Sequence, residues 1–124
     1  MTVLLRLVAW LLAAAVTFLT LGPADVRPHP VLGQYGDHAL AFFLVGIFFG
    51  LAYPQRRWTV SALAVALIGL LEIMQLWVPG RHARLEDFVV DALSACVGFA
   101  LSAAANWMMA QFGEDPDAVT RQRP

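Results

Sequence analysis

The sequence predicts an all-α fold, a four-helix transmembrane bundle that forms a single domain. Three observations lead there. Hydrophobic residues make up 60% of the 124-residue chain and charged residues 14%, against roughly 45–50% and about 25% in soluble proteins. The apolar residues fall into four runs separated by polar, Pro/Gly-bearing or arginine-bearing breaks. No run alternates with the period of a strand, and only helices or closed barrels satisfy backbone polar groups in lipid.

The expected helices cover residues 3–21, 38–53, 58–78 and 87–109, inside a domain of residues 1–110 that ends in a short polar tail over 111–124. The first run carries Arg6 near its start and is expected as a span. The alternative, a cleaved leader ending near Ala24, places Pro23 badly for a small-residue cleavage site. A connection rich in Pro23, Pro28, Pro30, Gly33 and Gly36 follows. The second run is short for the ~20 residues a crossing takes, so Asp37 and the adjacent loop are expected at its interfacial end. The third contains ten Leu, Ile and Val residues. They return ~0.3–0.6 kcal/mol each on the insertion scale, enough to offset the ~2.5–3.5 kcal/mol of an ionised residue at mid-membrane. It can therefore insert with Glu72 inside it. The fourth opens with Glu86, Asp87 and Asp91.

Close helix packing is expected from Gly46 and Gly50, and from Ser94, Gly98 and Ser102, which recur every four residues. Trp10, Trp58, Trp77 and Trp107 stand near run ends, as an aromatic belt would. The single cysteine, Cys96, forms no intramolecular disulfide and is expected as a small buried hydrophobe. Eight arginines, no lysine and a formal charge of −1 provide no basic stripe for nucleic acid.

Arginine placement sets the expected orientation. Arg6, Arg56, Arg57, Arg121 and Arg123 fall on one side, and Arg27, Arg81 and Arg84 on the other, which places both termini in the cytoplasm. The start of helix two, the end of helix three and the start of helix four then share the opposite, outward face. There the polar residues Asp37, His38, Glu72, Gln75, Asp87 and Asp91 gather, with Arg81 and Arg84 beside them. Glu72 and Gln75, three apart, share a helical face. A carboxyl inside a membrane segment is expected to face the bundle interior or a water-filled cleft and to find a partner. For Glu72 the candidates are His38, Arg81 and Arg84. These eight residues are the expected ligand-binding set.

Bland readings stand beside this one. Glu72 and Gln75 could form an interhelical clasp, and Arg81 and Arg84 could only snorkel at the membrane border. Packing Glu72, Asp87 and Asp91 together, however, is costly for architecture alone, because like charges repel unless protonated, paired or bound to a cation.

The stretches "GDHALAFF" (36–43), "EIMQLWVPGR" (72–81) and "EDFVVDALSACVG" (86–98) resemble the VanZ-like family of small integral membrane proteins. The chain carries Asp91 where that family usually has asparagine and Ser94 where a glycine is common. The resemblance implies an association with resistance to the glycopeptide teicoplanin or with protection of the cell envelope.

Two functions follow as expectations. One is a binding module whose cleft holds an envelope lipid, a lipid-linked precursor or a glycopeptide. The other is a membrane enzyme on a lipid-linked substrate, with His38, Glu72 or Asp87 as catalytic acid or base. In the enzyme, His38, Glu72, Asp87 and Asp91 would be ligands for a divalent cation, Mg, Ca or Mn. Membrane lipids are expected partners, as is a second copy of the chain.

Overall fold

The computed structural model describes residues 1–23, 25, 29–80 and 84–113. Four helices cover nearly all of them: α1 (Thr2–Leu21), α2 (Gln34–Ala52), α3 (Arg57–Met74) and α4 (Leu85–Phe112). All are long and apolar enough to cross a membrane, so the expected all-α bundle of four membrane-type helices is what the chain forms. Residues 114–124, most of the expected tail, lie outside the described residues, as do Arg27 and Arg81.

Each helix end has a local cause. α1 stops at Gly22, which is extended because Pro23 follows and disfavours helical backbone before it. α2 starts four residues before the expected position, at Gln34, after Gly33 takes a φ of 83° that suits glycine. The polar first turn was not part of the apolar run, yet it is helical. Asp37 secures it, its carboxylate accepting the backbone amides of Val31 at 2.9 Å and Leu32 at 3.0 Å. Pro54 ends α2 at Tyr53, and a 3₁₀ turn over Pro54–Arg56 leads directly into α3. The α-helical part of α3 stops at Met74, and the rest of the expected span is a 3₁₀ turn over Gln75–Trp77. Pro79 accounts for the extended Val78 that terminates this turn. α4 begins at Leu85, with Glu86 and Asp87 in its first turn where carboxylates complement the helix dipole.

Helices α2 and α4 form the most extensive pair, α1 lies mainly against α2, and α3 packs chiefly on α4. In a chain that reverses direction at each connection, α2 and α4 run the same way, and their register shows it. Gly46 faces Ala95, Gly98 faces Phe43, and Gly50 faces Ser102. A Cβ on Gly46 would collide with the Ala95 carbonyl, and one on Gly98 with the Phe43 carbonyl. The two backbones are therefore in contact, which is how helices gain dispersion energy where lipid removes the hydrophobic drive. The Ser102 hydroxyl is satisfied at 2.7 Å by the Phe99 carbonyl, and that of Ser94 at 2.7 Å by Val90.

The buried core comes chiefly from α2 (Phe42, Val45, Phe49, Ala52), completed by Ala95 and Phe99 of α4, Ile68 of α3, and Ala9 and Val16 of α1. Leu11, Phe18, Leu63, Leu67, Leu93 and Leu101 point outward, the distribution of a bundle whose solvent is hydrocarbon. Cys96 corrects one expectation, because it is exposed. It follows Ala95, which faces α2, and so turns away with Leu93 and Val97. In a membrane span both faces are apolar, so an apolar setting in sequence does not imply burial.

Candidate functional site

One end of the bundle collects the start of α2, the end of α3 and the start of α4. At its centre, His38 of α2 meets Asp91 of α4, with Nδ1 to Oδ2 at 3.2 Å. Asp91 is 1% exposed and the His38 side chain 30%, so the carboxylate is sealed in the bundle while the imidazole reaches towards its surface. The pair extends the α2–α4 seam by one further contact. Helix α2 supplies the packing beneath, with Phe42 one turn below His38 and the two rings 6.4 Å apart. The second oxygen of Asp91, Oδ1, is buried without a hydrogen-bond partner. With Oδ2 at Nδ1, the neutral imidazole carries its hydrogen on Nδ1 and its basic lone pair on Nε2.

Glu72 and Gln75 are also buried, at 6% and 3% exposure. The Gln75 amide lies 3.4 Å from Glu72 Oε1, where it donates. The tightening from α-helix to 3₁₀ turn at Gln75 keeps these two side chains, three apart, on one face. That face looks inward, since Gly69, a turn earlier, lies against the ring of Phe88 in α4. Helices α3 and α4 run in opposite directions. Glu72 thus lies ~4.5 Å nearer the bundle end than Gly69, and Asp91 ~4.5 Å deeper than Phe88. The two carboxylates occupy different tiers.

The other expected residues are placed as follows. Asp37 sits at the same end with both carboxylate oxygens on the amides of its own loop. Asp87 is half-buried one turn above Asp91, and Arg84 is exposed as the residue preceding α4. Arg81 lies outside the described residues. Among the described residues, no three His, Cys, Asp or Glu side chains gather as a metal ion would require. Of the four candidate metal ligands, the geometry couples His38 with Asp91.

That pairing was legible in principle. Spans two and four of an alternating bundle are parallel, and their small residues repeat at the same spacing, so aligning the two repeats brings His38 opposite the first turns of α4.

The fold and this end define a class, a small polytopic helical protein of membrane type that buries carboxyl side chains at one end, one of them against a partly exposed imidazole. A family model for VanZ/LLP1 matches residues 12–106, from within α1 to within α4, and the chain belongs to that family. No curated protein and no solved structure matches it.

Proposed function

We propose that this VanZ/LLP1 protein protects the cell envelope from within the cell membrane. In this reading both termini are cytoplasmic, and the end bearing His38, Glu72 and Asp91 is open to the outside. It binds there an envelope lipid, a lipid-linked precursor or a glycopeptide of the teicoplanin type. The observation that carries this reading is the His38–Asp91 couple, a carboxylate 1% exposed and held by an imidazole across two spans. Ionisable residues in membrane segments are costly and mark functional sites by default. Carboxylates here suit a ligand presenting amines or hydroxyls, while Arg84, exposed just before α4, suits its phosphate or carboxylate.

The test is glycopeptide susceptibility of cells carrying the protein, with its membrane abundance measured in parallel. Glu72→Gln and His38→Gln, the latter keeping an amide donor for Asp91, should keep normal abundance and lose protection. Protection undiminished in both, at equal abundance, would reduce these residues to architecture.

A second reading has its own support in the same couple. A carboxylate on Nδ1 orients an imidazole for acid–base work at Nε2, the arrangement a hydrolase of lipid-linked substrates would use. Incubating the purified protein with lipid-linked precursors, with and without a chelator of Mg, Ca and Mn, separates the two. Product formation selects the enzyme, and stoichiometric capture without product selects the binder.

A further inference from the structure

The opposite end of the bundle carries a second set of polar groups that the family and the acidic end leave unexplained. There α1 and α3 begin and α2 and α4 finish. Tyr53, the residue that closes α2, stacks on Phe49 with ring centroids 6.1 Å apart. On the Tyr53 ring lies the Arg6 guanidinium of α1, 5.0 Å from the centroid. Trp10, one turn further along α1, sets its ring edge-on to Phe49 at 5.3 Å and donates its indole N–H to the Tyr53 hydroxyl at 3.0 Å. Arg56 and Arg57 follow within the same turn, and the Nε of Arg57 is buried with no hydrogen-bond partner.

Two features give this end a chemical sense. The first is that its unanswered groups are donors. The Tyr53 oxygen already accepts from Trp10, so its own O–H must be directed elsewhere, and the Arg6 and Arg57 guanidinium hydrogens want acceptors. The second is the segregation of carboxylates among the described residues. The described carboxylates, Asp25, Asp37, Glu72, Glu86, Asp87 and Asp91, all belong to the other end or its loops, and among the described residues Arg6, Arg56 and Arg57 make no ion pair.

We infer that this end binds the phosphate of an anionic phospholipid head group. Arg6 and Arg57 supply charge and forked donors, the Tyr53 hydroxyl supplies a third donor, and the Trp10 indole fixes the orientation of Tyr53. The lipid is favoured over a soluble oxyanion because the groups ring a helix-end cluster whose neighbours Leu4, Leu7 and Trp58 are exposed apolar side chains suited to acyl chains. The site depends neither on the ligand nor on the chemistry proposed for the acidic end.

The experiment is binding of phosphatidylglycerol and of phosphatidylcholine to the full-length protein in detergent, read by native mass spectrometry, with millimolar inorganic phosphate as competitor. The wild-type protein should prefer phosphatidylglycerol, and phosphate should not displace it. Joint Arg6→Gln and Arg57→Gln substitution should cut that preference about thirtyfold. Joint Arg6→Lys and Arg57→Lys substitution should retain most of it. No preference in the wild type, or full preference in the glutamine variant, would overturn the site. Displacement by inorganic phosphate would overturn the lipid assignment. A loss in the lysine variant as complete as in the glutamine variant would trace the effect to packing on Tyr53 rather than charge, and would also overturn it.

Discussion

The two ends of the bundle handle charge in opposite ways. At one, Asp91, Glu72 and Gln75 are drawn inside, each under 7% exposed, and answered by side chains of the chain itself. At the other, Arg6 lies over an aromatic ring and Arg56 stands exposed, with no carboxylate against either among the described residues. A charge paired across the bundle is bound into the fold, whereas one with no charged partner is left for something outside it. The contrast teaches that one apolar bundle can hold a polar site as part of its core and another as part of its rim. Mutations at the two should fail differently, the first through stability and ligand together, the second through ligand alone.

The largest effect is expected from breaking the buried pair. His38→Ala strands Asp91 in the bundle and should cost about 3 kcal/mol of unfolding free energy in mixed micelles, the lower end of what removing one partner of a buried pair costs. A loss below about 0.5 kcal/mol would mean Asp91 is better solvated than its 1% exposure implies.

The seam that carries both ends comes next. Gly98→Ala drives a methyl group into the Phe43 carbonyl, and backbone cannot move aside as a flexible side chain can. A destabilisation of about 2 kcal/mol is expected by the same assay. A tolerated Gly98→Ala would mean that α2 and α4 stand further apart.

The smallest effect belongs to the arginine end. Arg6→Gln removes an exposed cation–π contact and should change stability by about 0.5 kcal/mol. A loss as large as that of His38→Ala would abolish the distinction between the ends.

The architecture was readable because apolar runs of spanning length leave few alternatives once strands are excluded, and the four helices stand where the runs predicted them. Their ends were less readable. The Gln34–Asp37 turn looks like loop in sequence and is helix, because Gly33 can take a positive φ and Asp37 holds the loop back onto the first turn. Residues 75–77 look like helix and form a 3₁₀ turn, because Pro79 holds Val78 extended just beyond them. The polar residues could be assigned to one end from alternating crossings, whereas their pairing follows only once the small-residue repeats of α2 and α4 are set against each other, a step that no single span suggests. Glu72 drew attention as the charge deepest in its span, but His38 pairs with Asp91 because the small-residue seam brings α2 against α4. Cys96 went astray for a related reason, since hydrophobicity does not separate the lipid-facing side of a span from its packed side.

The central claim is that α2 and α4 run in parallel with position 38 against position 91. Cysteines placed there in a Cys96→Ala background, treated in native membranes with a short thiol cross-linker, test it most directly. The account predicts rapid intramolecular cross-linking of 38 with 91 and little of 38 with an exposed lipid-facing control at 93. Equal yields for the two pairs, or none for 38 with 91, would contradict it.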